Sequence, residues 1–192
     1  MMELKTPARH DPTAAATALP VAIRRPVLAD AGTLESLARE SEILDVNSRY
    51  LYLLLCRDFS GTCRVAQCAG KVVGFVSAYF PPAQPHVLFV WQIAVAKEYR
   101  GKAVALRMLM DLLSGLPDNQ SFTIEATITP SNGASQALFQ RLAAELACPV
   151  RVDQGFSEAL FAPAAHESER MFYIGPVVLG SHRGSMKEHT SS

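Results

Sequence analysis

Arg100, Gly101, Lys102, Ala103, Val104 and Ala105 combine positive charge with small side chains just ahead of a helical pattern. The first N–H groups of a helix have no partner within it and lie at the positive end of its dipole. An anion can therefore be held at such a turn by backbone alone. Gly101, Ala103 and Ala105 would let a phosphate approach closely, and Arg100 and Lys102 would add charge. The same six residues also suit an ordinary strand-to-helix turn packed on a sheet, and by themselves they do not separate the two. Neither the Walker A pattern nor the Rossmann glycine pattern is present.

Other residues with usable chemistry are scattered along the chain. Asp45 stands in a polar break, residues 45–48, where its carboxylate could hold an ammonium or cap the next helix. Asn47 and Arg49 could orient a carboxylate, although Arg49 could equally be solvated. Trp91, the one tryptophan, could wall a pocket or fill the core. Strand alternation puts Thr123, Glu125 and Thr127 on one face, which either lines a cleft or meets water. His166 and Glu167 follow a Pro/Ala loop. Histidine suits proton transfer near neutrality, but a surface loop is the plainer reading. No His/Cys/carboxylate cluster has metal-ligand spacing. Cys56, Cys63, Cys68 and Cys148 form no CxxC pair and read as reduced, mostly buried thiols.

The elements that must position these groups follow from periodicity. Residues 21–26 read as a short strand ended by Pro26. Asp30 can cap a helix that carries Ala31, Leu34, Leu37 and Ala38 on one face. Residues 50–59 resume a helical pattern. Residues 63–68 and 71–80 form a hairpin about Ala69 and Gly70. Residues 87–95 are almost continuously apolar, as in a strand buried on both faces. A helix with Leu106, Leu109 and Leu113, a strand over 122–128, and a helix started by Asn132 follow. Two short strands, 150–153 and 171–174, end the pattern. The order implies an α/β (α+β) sheet with helices on both faces.

The chain has 192 residues, 49% of them hydrophobic, so one domain can bury a sizeable core. Lys+Arg and Asp+Glu are both 18. That balance argues against nucleic acid or an anionic membrane as partner. No apolar run is long enough to span a bilayer, and no signal peptide is evident. The expected organisation is a disordered tail over 1–20, a domain over 21–178 and a flexible tail over 179–192, in a cytoplasmic protein.

The run from Trp91 to Leu109 resembles motif A of the GNAT superfamily of N-acetyltransferases, with its Arg/Gln-x-x-Gly-x-Gly/Ala loop. Arg100 takes the first position, and Ala105 fills the Gly/Ala position. Ala103 stands where the family prefers glycine, a mild departure provided residue 103 has helical φ. Thr129–Phe139 resembles motif B, with Asn132 starting the helix beside the pantetheine arm. The resemblance spans roughly residues 21–175. It implies a GNAT fold: a mixed, mostly antiparallel sheet splayed at its centre, with the cofactor in the cleft. It further implies acetyl-CoA as cosubstrate and no metal. The backbone of Ile93, Ala94 and Val95 would pair with the pantetheine arm and stabilise the oxyanion. The turn residues Arg100–Ala105, Val104 included, would hold the pyrophosphate. Many members place a tyrosine near the start of the second helix to protonate the leaving thiolate. Phe139 stands there and cannot donate, which leaves Tyr50, Tyr52 or water.

Residues 44–54, 89–95, 129–135 and 166–169 also resemble the acetyltransferases that act on L-2,4-diaminobutyrate at the start of the ectoine branch. That likeness implies acetyl transfer to the γ-amine by direct attack, in a cytoplasmic homodimer. It favours His166 and Glu167 in the acceptor pocket. Together with the chemistry of the other residues, the expected acceptor set is Asp45, Asn47, Tyr50, Trp91, Thr127, His166 and Glu167, and the expected catalytic residues are Glu125, His166 and Trp91. The alternatives are a GNAT enzyme for another small amine and a non-catalytic acyl-CoA sensor.

Overall fold

The computed structural model describes residues 20–117, 121–162 and 166–178. The two expected tails therefore lie outside the described residues, save residue 20. Seven strands form one sheet: β1 (Ala22–Arg24), β2 (Cys63–Cys68), β3 (Lys71–Tyr79), β4 (Val87–Val95), β5 (Ser121–Ile128), β6 (Val150–Gln154) and β7 (Arg170–Val178). Their spatial order is β1-β2-β3-β4-β5-β7-β6, and only the β4–β5 pair is parallel. The main helices are α1 (Ala31–Glu40), α2 (Arg49–Asp58), α3 (Val104–Ser114) and α4 (Gly133–Glu145).

Each sheet face has its own core. Alternation along β4 and β5 sends Leu88, Val90, Ile124, Ala126 and Ile128 to the face under α3 and α4. There Leu109, Leu112 and Leu142 are almost wholly buried; each contributes about 1.5–3 kcal/mol by leaving water. The opposite face buries Val65, Phe75 and Ala94 against Leu34, Leu37, Tyr52 and Leu55 of α1 and α2.

Asp30 does not cap α1. Its carboxylate accepts bonds from Arg24 at 2.7 and 2.9 Å and from the Val27 N–H at 2.8 Å, clamping β1 to the helix approach. Burial alone would push this carboxyl up; the Arg24 and Val27 bonds hold it below the usual range.

β4 is not buried on both faces along its whole length, because Trp91 is 40% exposed. The reason is a bulge. Ser77 pairs with Gln92 and Ala78 with Val90, so Trp91 is the extra residue. The bulge turns Trp91 and Gln92 to the same face. Trp91 stands edge-on to Tyr79, and Gln92 lies beneath Tyr52 of α2. Beyond this point the sheet splays. β4 pairs with β5 only at Val87–Thr123, Leu88–Ile124 and Phe89–Glu125. β5 then follows β7 up to the Ile128–Arg170 pair. From Val90 onward the two central strands diverge and leave a wedge.

Candidate active site

One wall of the wedge is the free edge of β4. The Ala96 N–H donates to Val73 of β3 at 2.8 Å, and the Ala94 carbonyl also points toward β3. Alternation then turns the N–H and C=O groups of Ile93 and Val95 to the open side. Arg100 Nε donates to the Val95 carbonyl at 2.9 Å, which agrees with that direction. A cavity of about 400 Å³ runs along this edge, lined by Ile93, Ala94 and Val95.

The cavity ends at the turn Arg100–Ala105. A short 3-10 helix, Lys97–Tyr99, leads into it, and α3 starts at Val104. The first intrahelical bond is Arg107 N to Ala103 O, at 3.0 Å. The N–H groups of Val104, Ala105 and Leu106 thus precede any helical partner, as an anion site requires. Arg100, Gly101, Ala103, Val104 and Ala105 all line the cavity. Lys102 does not; its ammonium lies over the Tyr99 ring, 5.5 Å from the centroid. Ala103 departs from the helical conformation expected of it. Its φ is +56°, left-handed like Gly101 at +72°. That conformation costs a residue with a Cβ about 1–2 kcal/mol.

The other wall is the start of α4. Asn132 Oδ1 accepts from the Ser135 N–H at 3.0 Å, capping the helix. Gln136 Nε2 bonds the Pro130 carbonyl at 2.9 Å and braces the same turn. Asn132, Ala134, Ser135, Leu138 and Arg141 face the cavity. Phe139 does not line it: the ring is buried and packs on Phe172, 6.5 Å between centroids. Arg141 escaped the sequence reading, although helical spacing from Asn132, Ala134 and Leu138 could have found it. Ser41, Ile43 and Leu44 also line the cavity from the α1–α2 connection.

The far end of the wedge opens on the α1/α2 face beside Trp91. Asp45 is exposed and does not cap α2, whose N-cap position is Ser48. The Asp45 carbonyl accepts from Gln92 Nε2 at 2.9 Å and from Asn47 Nδ2 at 3.3 Å. Tyr50 is 67% exposed. Arg49 donates to Glu35 at 2.7 Å, in an ion pair whose arginine side is largely exposed.

His166 stacks on Phe161, with centroids 4.0 Å apart. Its Nδ1 is 2.6 Å from the Glu167 carbonyl. A carbonyl only accepts, so Nδ1 carries the proton, and in neutral imidazole Nε2 is left as the basic nitrogen. Glu169 Oε1 stands 3.9 Å from that Nε2. The Glu167 carboxylate accepts from the Ser131 N–H at 3.2 Å, so it ties this loop to the α4 approach.

Thr123, Glu125 and Thr127 do share the face of Trp91, but Glu125 does not line the cofactor cavity. It sits at the closed end of the wedge, opposite Phe89, and faces a separate cavity of about 530 Å³ with His86, Arg151 and Tyr173. Burial pushes its carboxyl up; Arg151 and His86 offset part of the rise.

Burial pushes Cys56 and Cys63 up to about 11 and raises Cys148 as well, so none of these three thiols is prepared for covalent chemistry. Among the described residues no group of three or more His, Cys, Asp or Glu could hold a metal, and no helix is long and apolar enough to cross a membrane.

A splayed sheet, an open strand edge and an unpaired helix start at its end define a site for an acyl carrier bearing a phosphate chain. The chain belongs to the acetyltransferase (GNAT) family, whose model matches residues 32–144. Within the family, it is 45% identical over 157 residues to L-2,4-diaminobutyric acid acetyltransferase of Streptomyces avermitilis, covering 81% of this chain and 88% of that one. It is 44% identical over 158 residues to the enzyme of the same name from Halalkalibacterium halodurans, covering 82% of each. The structure of diaminobutyrate acetyltransferase EctA from Paenibacillus lautus, in complex with L-2,4-diaminobutyric acid and coenzyme A, superposes with a TM-score of 0.76. That chain is 39% identical, and the match covers 83% of this chain and 96% of it.

Proposed function

We propose that this protein transfers acetyl from acetyl-CoA to the γ-amine of L-2,4-diaminobutyrate, the opening step of the ectoine branch. The observation that carries the reading is the wedge itself. One end is a backbone anion site, and the strand that forms its wall carries Trp91 at a bulge; the Asp45 carboxylate and His166 are proposed to join Trp91. The pyrophosphate sits on the N–H groups of Val104, Ala105 and Leu106, with Arg100 alongside. The pantetheine arm pairs with the free edge at Ile93 and Val95. That arrangement delivers the thioester to the bulge at Trp91.

The acceptor enters from the α1/α2 face. Asp45 holds one ammonium, while Asn47, Tyr50 and Thr127 border the remainder. Only the free amine is a nucleophile, so a proton must first leave the γ-ammonium. His166 Nε2 accepts it, and Glu169 stabilises the resulting imidazolium. The nitrogen lone pair then attacks the thioester carbon, and the carbonyl electrons move to oxygen, which the β4 N–H groups stabilise. Collapse breaks the C–S bond and releases coenzyme A as thiolate, which water protonates because residue 139 is phenylalanine. The second amine proton passes to water, replacing the one given to the thiolate, and leaves the amide. With its thiol raised, Cys148 forms no acetyl-enzyme. Glu125 tunes the charge at the closed end of the wedge. The enzyme works as a cytoplasmic homodimer.

The test is thiol release from acetyl-CoA with L-2,4-diaminobutyrate, L-ornithine and L-lysine. Diaminobutyrate is expected to give a kcat/KM at least ~10-fold above the other two, since one methylene in a fitted pocket is worth about 1–3 kcal/mol. Asp45→Ala should remove most of the rate. Equal release with all three would leave a GNAT enzyme of broader specificity, and no release with any would leave an acyl-CoA-binding domain.

A further inference from the structure

Gln92 carries no role in the transfer just described, yet it is the best-connected polar residue near the site. It is 3% exposed, on the strand that presents the thioester. Its backbone N–H donates to Ser77 Oγ at 3.2 Å, which holds the bulge. Its side chain reaches across to two different elements. Nε2 donates to the Asp45 carbonyl at 2.9 Å, and Oε1 accepts from the Tyr52 hydroxyl at 3.2 Å. The orientation of the amide is fixed by chemistry. A carbonyl cannot donate, so the nitrogen must face Asp45 and the oxygen Tyr52.

Tyr52 is wholly buried and stands edge-on to Phe75, 6.2 Å between centroids. It therefore provides a rigid post. Burial pushes its hydroxyl up, with Asn47 and Gln92 offsetting part of the rise, so it stays a neutral donor. Ser77, Gln92 and Tyr52 form one buried, satisfied set, and its outward bond holds the main chain of Asp45. The Asp45 carboxylate is left free for a ligand, while its backbone is tied to the strand beside Trp91.

We propose that Gln92 is a positioning residue that sets the acceptor's length: it fixes the distance between the ammonium holder at Asp45 and the thioester on β4. The proposal rests on Asp45 binding the acceptor. With the latch intact, the loop cannot retreat to admit a chain one methylene longer. With the latch broken, it can. Buried polar sets of this kind are costly when half-satisfied, so the loop has one seated position.

The experiment compares kcat/KM for L-2,4-diaminobutyrate and L-ornithine in the full chain. Gln92→Met keeps volume and loses both bonds. Tyr52→Phe loses the bond that orients the amide together with the hydroxyl's interaction with Asn47, and it keeps the test open if the first variant does not fold. The diaminobutyrate-to-ornithine ratio is expected to fall ~5-fold or more in Gln92→Met and ~2-fold in Tyr52→Phe, within the range one methylene can command. The KM for acetyl-CoA should change less than ~2-fold, because the anion turn is untouched. A purely structural role would slow both amines equally and leave the ratio where it was; that result overturns the latch. Wild-type protein inactive with diaminobutyrate would instead overturn the substrate reading, and the latch with it.

Discussion

The two ends of the wedge are built from different materials. The cofactor end is mostly backbone: the free edge at Ile93 and Val95, the N–H groups ahead of Arg107, and a helix start fixed by Asn132. The acceptor end, as proposed, is mostly side chains drawn from distant segments. Asp45 comes from the α1–α2 connection, Trp91 from a bulge, and His166 from the loop before β7. A backbone site tolerates changes in side chain and fails when conformation is lost. A side-chain site fails one residue at a time. The same contrast explains how one family can keep its cofactor and change its acceptor.

The contrast is sharpest at His166, where the largest effect is expected. His166→Ala should lower kcat/KM for the diamine by ~100-fold or more, the usual contribution of a placed general base. The KM for acetyl-CoA should stay within ~2-fold. Without the imidazole the free amine arises only by loss of its proton to solvent. An aliphatic amine titrates near 10, so the variant's rate should climb about tenfold per pH unit between about pH 7 and 9. A loss under ~10-fold, or an unchanged pH slope, would remove His166 from the proton path and leave Glu169 and Glu125 as the carboxylates to test.

The same difference decides what could be read from sequence. The anion turn and the Asn132 helix are contiguous stretches, so their resemblance to two family motifs exposes them, although the turn's spacing alone does not. Alternation likewise put Thr123, Glu125 and Thr127 on one face correctly. Gln92 was invisible, because its importance comes from a one-residue bulge that turns it under Tyr52 and from a loop 47 positions earlier in the chain. Asp30 was misread as a cap because its partner, Arg24, belongs to another element. Phe139 was assigned to the cofactor by position in a motif, yet its side of the helix faces Phe172. Local pattern shows where a backbone site is; only packing shows which way a side chain points.

A smaller effect is expected from changing the backbone site itself. Gly101 has φ +72°, and a Cβ there would meet nothing within 4 Å. Gly101→Ala is therefore a test of conformation without a clash. Net of the unfolded-chain entropy that alanine saves, it should cost up to about 1.6 kcal/mol of stability, or shift the turn to escape that strain. In the second case the KM for acetyl-CoA rises by up to ~10-fold, since 1.4 kcal/mol is a factor of ten. The KM for the diamine should hold steady in both. Thermal unfolding and steady-state kinetics together tell the two outcomes apart, and a rise in the diamine KM alone would break the division between the two ends.

The smallest effect, and the most direct check on the turn, is at Ala103. Its φ of +56° is the conformation in which glycine is preferred, and the family pattern has glycine there. The left-handed conformation costs alanine about 1–2 kcal/mol. Alanine recovers about 0.4–1 kcal/mol because its unfolded chain has fewer conformations to lose. The balance favours glycine by about 0–1.6 kcal/mol. Ala103→Gly should thus raise Tm by up to about 6 °C, given about 2–4 °C per kcal/mol in a domain of this size. It should leave the diamine KM unchanged, because residue 103 touches only the cofactor end. A fall in Tm would mean that Ala103 makes contacts worth more than its strain. The turn would then owe its shape to packing by its side chains as well as to the path of its backbone.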